Sequence, residues 1–253
     1  MSDLKTAIGI VRTASAVPMA HFRQPLAIDA KHDDSPVTGA DRATEQEIRR
    51  LLAEAFPDDG MFGEEFGNSG TSNGRLWVID PIDGTRSFIS GSPLFGMLLA
   101  LVENGAPTLG VVGMPALGEV FAGGAGIPAT LNGEPITASK VTRLSDAVIY
   151  VNEGDRLFDT HPQAFARLMQ AGATRRFAYD CYPHALVAAG HVDCVVDLGL
   201  EPYDFLSLQP LVEAAGGVVT DWDGKPLTLE SDGRIVSAAT PELLAEMLEL
   251  LAG

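Results

Sequence analysis

The 253-residue chain is 46% hydrophobic, ordinary for a globular protein and enough to fill one large α/β domain or two packed lobes. Its 17 Lys and Arg against 34 Asp and Glu leave a formal net charge of -17, a field that repels nucleic acid and anionic membranes and admits a phosphate-bearing ligand only alongside cations. Cys181 and Cys194 form no C-x-x-C pair, which excludes a disulfide framework and a cysteine zinc site and fits a reduced, cytoplasmic protein.

Leu4, Ile8, Val11 and Ser15 keep a helical spacing, and the charges at Asp3, Lys5 and Arg12 deny this opening segment the continuous apolar stretch of a signal peptide. "AIDAKHDDSPVTGAD" at 27–41 is rich in turn residues and reads as a surface loop or hairpin. A second helix is expected over 42–55, with Ile48, Leu51, Leu52 and Ala55 on one face, stopped by "FPDDG". A glycine-bounded loop, "GEEFGNSGTSNG", then leads into the strand "LWVID" and the turn "DPIDGT". A long hairpin follows, "FGMLLALV" returning as "TLGVVGMP", then a third strand, "GEVFAGG". The apolar run at 94–102 is too short to span a bilayer and reads as a buried strand.

In the second half "AVIYVN" and "VDCVVDLG" read as strands, with a helix between them from about Pro162, Thr160 and Gln163 forming its capping box. A helical pattern from Tyr203 to Ala215 contains Pro210, so that helix must kink or begin later, and Gly216-Gly217 stops it. "GGVVTDWDG" and "RIVSAA" follow as strands, then a terminal helix from Pro241 with Leu244, Met247, Leu248 and Leu251 on one face. The class is mixed α/β. No linker or shift in composition marks a boundary; the expectation is a single domain, with two lobes of about 1–135 and 136–253.

The chemistry concentrates in carboxylates: "GEE" at 63–65, Asp80 and Asp83 in "DPIDGT", and Asp204 in "EPYDFL". Hard divalent cations take oxygen ligands, and this set offers no soft one. The apolar strand fixes Asp80 at its end, Pro81 stiffens the turn, Asp83 returns to the same side, and the Ile82 carbonyl adds a neutral oxygen. Gly84 and Thr85 then open a helix, whose free amides suit a phosphate. Plain readings compete for each piece: Asp83 or Asp41 as a helix N-cap, Glu64 and Glu65 as a solvated loop, Asp204 as a helix start. Capping alone does not account for the composite of strand, D-P-I-D-G-T and helix.

These segments, "GEE", "DPIDGT" and "YDFLSLQPLVEAAGG", in that order and across nearly the whole chain, resemble the inositol monophosphatase family of Mg²⁺-dependent, lithium-sensitive phosphatases. Within it, "DPIDGTRSFISGSPLFGMLLALVENG" and "DCYPHALVAAGHVDCVVDLGLEPYDF" are most similar to histidinol-phosphate phosphatases, which act in histidine biosynthesis. The chain departs from that group at Ala178 and Tyr179, where a Gly-Gly pair is usual, and at Asp34, where the group has glycine. Tyr179 would narrow or reshape the substrate pocket.

The resemblance implies an αβαβα sandwich of the inositol monophosphatase and fructose-1,6-bisphosphatase type, two or three Mg²⁺ ions, and a homodimer. It implies Glu64, Asp80 and the Ile82 carbonyl around one ion and Asp80, Asp83 and Asp204 around another. Thr85 and Asp41 would deprotonate the attacking water with help from Glu64, while Asp83, Gly84 and Thr85 hold the phosphate. Arg176, Asp180 and Asp197 are the substrate-side candidates, since histidinol phosphate carries an ammonium and an imidazole that favour carboxylates. Lys31, Glu65 and Arg86 are further candidates. The competing functions are inositol-1-monophosphatase, 3'-phosphoadenosine 5'-phosphate phosphatase, and a non-catalytic metal-binding regulator on the same fold.

Overall fold

The computed structural model describes residues 2–25, 28–30, 36–71 and 73–253; Lys31 and Asp34 lie outside them. The helices Ser2–Ala14 (α1) and Ala16–His21 (α2) precede a hairpin of Ile28–Ala30 (β1) and Pro36–Thr38 (β2), which enters the long helix Gly39–Ala55 (α3). Gly60–Gly63 (β3), Gly67–Asn68 (β4) and Arg75–Asp83 (β5) lead to the short helix Thr85–Ile89 (α4). Gly96–Glu103 (β6), Ala106–Met114 (β7), Glu119–Gly124 (β8), Ile127–Leu131 (β9) and Glu134–Pro135 (β10) form a meander. Together β3 to β10 make an eight-stranded sheet in the order β10-β9-β8-β7-β6-β5-β3-β4, antiparallel except for β3 beside β5.

The rest alternates: Val148–Asn152 (β11), Gly154–Thr160 (α5), Pro162–Leu168 (α6), Thr174–Ala178 (β12), Tyr182–Ala188 (α7) and Cys194–Asp197 (β13). Pro202–Phe205 (α8), Leu208–Ala214 (α9), Val218–Asp221 (β14), Ile235–Ala238 (β15) and Pro241–Ala252 (α10) complete it. The five-stranded sheet runs β12-β11-β13-β15-β14, parallel across its first three strands and antiparallel across the rest.

Burial on both faces of β5 explains its unbroken apolar run. Trp77 and Ile79 point to one side, where Leu4, Ala7 and Val11 of α1 and Ile48 and Leu52 of α3 cover them. Leu76 and Val78 point to the other, into a core shared with Leu208, Leu211 and Val212 of α9 and with Val195, Val219 and Ile235 of the second sheet. Beyond that sheet, Leu157, Leu168, Leu243 and Met247 of α5, α6 and α10 close a third core. The result is the αβαβα layering, with each fully buried large side chain contributing about 1.5–3 kcal/mol.

Several local expectations are corrected. The buried stripe of α1 is Leu4, Ala7, Ile10, Val11 and Ala14, because small alanines pack closest, and Ile8 sits at its margin. Helix α3 begins three residues before the predicted start: Thr38 is its N-cap and Asp41 occupies the third helical position. Thr160 does not cap α6, since its hydroxyl donates to the Arg156 carbonyl at 2.7 Å as the end of α5. The break anticipated at Pro210 falls before it, between α8 and α9; Pro210 then lies in the first turn of α9, where its missing N–H costs nothing. The hairpin partners β9 and β10, helix α5 and edge strand β12 were not anticipated.

One polar hub ties the N-terminal helix to the sheet. The Arg75 guanidinium meets Asp3 at 2.8 Å, Asp59 at 3.0 Å and Glu103 at 2.6 Å, and Asp59 also accepts from Trp77 Nε1 at 2.9 Å. Arg75→Ala leaves these carboxylates uncompensated and is expected to lower unfolding stability by about 1–3 kcal/mol in a denaturant titration, with the cluster described below intact.

Candidate active site

The D-P-I-D segment is a bulged strand end rather than a free turn. Asp80 pairs with Leu98 and Asp83 with Gly96, so three steps on β5 face two on β6. In a regular strand residues three apart point to opposite faces; the one extra residue of a bulge returns them to the same face. Both aspartates therefore emerge together, while Ile82 is buried with Ala40, Phe88 and Phe95 beneath α4.

Asp204 arrives from the opposite side of the central core, on α8. One oxygen each from Asp80, Asp83 and Asp204 lie within 4.8 Å of one another. Each carboxylate is also anchored by a backbone amide: Ile82 N donates to Asp80 Oδ1 at 3.0 Å, Cys181 N to Asp83 Oδ2 at 2.6 Å, and Glu201 N to Asp204 Oδ2 at 2.7 Å. Asp204 is thus a helix-start residue, closing the capping box of α8, and a member of the cluster at once. Glu64 lines the adjoining cleft and its charge acts on Asp80 and Asp204, though its carboxyl stands outside the 4.8 Å group.

Asp41 has the same double geometry. Its Oδ2 accepts from Thr38 N at 2.8 Å and Thr38 Oγ1 at 2.7 Å, and its Oδ1 accepts from Thr85 Oγ1 at 3.1 Å, forming the expected hydroxyl-carboxylate pair. Thr85 also lies 3.3 Å from the Ile82 carbonyl. Gly84 is the N-cap of α4, at a φ of 80°, and a Cβ there would run into the Asp180 carboxylate, so glycine is required twice over. The G-E-E loop is positioned by Glu45, fully buried on α3, which accepts from Glu65 N at 2.7 Å and Arg49 Nε at 2.7 Å. Glu65 approaches Arg42 at 3.9 Å.

Glu64, Gly84, Thr85, Arg86, Glu153, Tyr179, Asp180 and Asp204 line a single cleft of about 530 Å³. Asp180 adopts a φ of 62°, its carbonyl taking Asn152 Nδ2 at 3.0 Å and its Oδ2 taking Ser87 Oγ at 2.5 Å. Asp197 is outside this lining but borders a smaller cavity of about 170 Å³ with Asp83, Arg86, Glu153 and Asp180. It is buried, its Oδ2 accepts from Asn152 Nδ2 at 2.6 Å and faces His184 Nε2 at 3.1 Å, and its Oδ1 accepts from Leu198 N. His184 is itself buried against Ser237, which removes it from any stacking with a ligand. Arg176 is on edge strand β12 and lines a neighbouring cavity of about 280 Å³ that shares Ser87, Tyr179 and Asp180 with the cleft. The Cys181 thiol, pushed well up by burial and then by Asp83, stays protonated.

Burial, then Glu64, Asp83 and Asp204, push Asp80 well above the usual carboxylate range; burial, then Asp180 and Asp204, do the same to Asp83. Asp204 rises to about 7, chiefly through burial. Among the described residues no lysine or arginine pairs with any of the three. An all-oxygen donor set with uncompensated negative charge fits a hard divalent cation, which would supply the missing countercharge.

The model of the inositol monophosphatase family matches residues 2–252. Among curated proteins, the histidinol-phosphatase of Chlorobaculum parvum is 42% identical, covering 93% of this chain and 92% of its own. That of Mycobacterium tuberculosis is 36% identical, covering 88% of each. Among solved structures, an inositol monophosphatase from Zymomonas mobilis superposes with a TM-score of 0.89 at 37% identity, over 100% of this chain and 98% of its own.

The raised pKa values set a pH dependence. Between the unfolded value of 3.8 and the raised folded values, about 7 for Asp204, the native cluster holds more protons than the unfolded chain, so stability falls as pH rises through that window. Chelator-treated protein is therefore expected to lose melting temperature from pH 5 to pH 8. A divalent cation held at a hundredfold excess over its Kd at pH 8 should restore about 2.7 kcal/mol, or about 5–10 °C, there, and the same concentration should restore less at pH 5 in a thermal scan.

Proposed function

We propose that this chain, which belongs to the inositol monophosphatase family, hydrolyses L-histidinol phosphate to L-histidinol and phosphate with Mg²⁺ as its cation. The observation that carries the reaction type is the buried, amide-anchored triad Asp80, Asp83 and Asp204, whose Asp204 lines one cleft with Thr85, the partner of Asp41. The substrate follows from the curated relatives named histidinol-phosphatase and from the acidic lining of the cleft.

Asp80, Asp83 and Asp204, with Glu64 and the Ile82 carbonyl beside them, would hold Mg²⁺. When bound, such cations neutralise the phosphate dianion, acidify the attacking water and stabilise the departing alkoxide. Asp41, oriented by its capping bonds to Thr38, accepts the Thr85 hydroxyl proton and so aims the Thr85 oxygen as an acceptor for the water. Gly84 and Thr85 line the cleft, where their amides would donate to phosphate oxygens. Asp180 meets the substrate beyond the phosphate, and Asp197 acts through Asn152, which holds the Asp180 carbonyl. Arg176 borders the adjoining cavity, within reach of a substrate only past Tyr179 and Asp180. The first 135 residues thus supply most of the cation and phosphate groups, with Asp204 as the contribution of the remainder. Residence in the cytoplasm, sensitivity to lithium and a homodimeric state complete the proposal.

The reading is tested by a panel of phosphate esters assayed with Mg²⁺, a lithium control and size-exclusion chromatography. Histidinol phosphate should turn over faster than inositol phosphate and 3'-phosphoadenosine 5'-phosphate; equal or slower turnover overturns the substrate assignment. Thr85→Ala should lower kcat by about 10²- to 10⁴-fold with KM little changed, and Asp83→Asn should abolish phosphate release.

A further inference from the structure

Glu153 has no place in the chemistry above, yet it stands in the cleft. It follows buried Asn152 at the end of β11, lies at the N-terminal boundary of α5 with a φ of 46°, and makes no side-chain capping bond to that helix. Among the described residues its carboxyl accepts no hydrogen bond and forms no ion pair within 4.0 Å, so neither capping nor a structural salt bridge explains it. It lines the same 530 Å³ cleft as Thr85, Asp180 and Asp204.

We propose that Glu153, together with Asp180, receives the positively charged group of the substrate and sets a preference for cationic phosphate esters over neutral ones, an assignment that rests on the phosphatase reading above. The charges facing Glu153 are Asp197 at the end of β13, Asp155 on α5, Asp180 after β12 and Arg86 on α4. Arg86 acts on both Glu153 and Asp180, and Arg156, which also lines the cleft, donates to the Gly199 carbonyl at 3.1 Å. Glu64, Glu153, Asp155, Asp180, Glu201 and Asp204 against Arg86 and Arg156 leave the lining net negative. Burial first, then Asp197, Asp155 and Asp180, push Glu153 up to about 7, and burial pushes Asp180 up to about 6. A substrate ammonium placed between them replaces repulsion by charge-assisted hydrogen bonds. One cleft thus meets two demands: metal cations and a phosphate through Asp204 and Thr85, an organic cation through Glu153 and Asp180.

The test compares kcat/KM for two ester pairs, each differing by one ammonium: L-histidinol phosphate against its deaminated counterpart, and 2-aminoethyl phosphate against ethyl phosphate. The wild-type enzyme should favour the cationic member of each pair at least tenfold. Glu153→Gln, isosteric and neutral, should cut that ratio by tenfold or more, mainly through the KM of the cationic ester, and Glu153→Asp should retain more of it than Gln does. An unchanged ratio in Glu153→Gln overturns the proposal, whether both esters slow together or neither does. Failure of the histidinol reading is seen separately, as a wild-type enzyme no faster on histidinol phosphate than on inositol phosphate; the aminoethyl and ethyl pair still decides the part of Glu153.

Discussion

Repulsion among buried carboxylates is the constraint on which this structure depends. Asp80, Asp83 and Asp204 bring oxygens within 4.8 Å with no basic side chain among the described residues to separate them. Left free, such groups would swing apart or draw in water. Each is instead tethered by a backbone amide, from Ile82, Cys181 and Glu201, which fixes one of its oxygens. The cost of gathering the charge is carried by the fold and recovered when a divalent cation enters.

Those tethers dictate local features that otherwise look arbitrary. The bulge in β5 exists to put residues three apart on one face. The capping boxes of α3 and α8 each use an acidic third residue, Asp41 and Asp204, so that closing the helix and aiming a carboxylate are one act. The N-cap of α4 must be Gly84, since Asp180 occupies the space a side chain would need.

Legibility in the sequence followed the range of the interaction. The D-P-I-D-G-T run, the G-E-E loop and the long apolar strands carry their information within a few residues, and the layered α/β class follows from them. What depends on distant partners was hidden. The Cys181 amide on Asp83 spans 98 positions and involves no side-chain chemistry of the cysteine. The bonds that Asn152 and His184 make to the buried Asp197 carboxylate cross 45 and 13 positions. Glu153 sits in an ordinary-looking "NEGD", and only the fold turns it into the cleft. Glu45 did leave a signal: it shares the helical face of Ile48 and Leu52, and a carboxylate in an apolar stripe demands a buried partner, here the Glu65 amide. Thr160 misled because a Thr-x-x-Gln spacing fits a capping box, whereas the chain had already spent that hydroxyl on the end of the preceding helix.

The Cys181 amide has a consequence for biogenesis. Asp80 and Asp83 leave the ribosome long before Cys181 and Asp204 do, and until then the early pair has neither its tether across the core nor its third member. A nascent chain halted midway would present the D-P-I-D-G-T motif complete in sequence but without its partners, so a cation held by the three aspartates would be acquired only at the last stage of synthesis and not by the first half of the molecule.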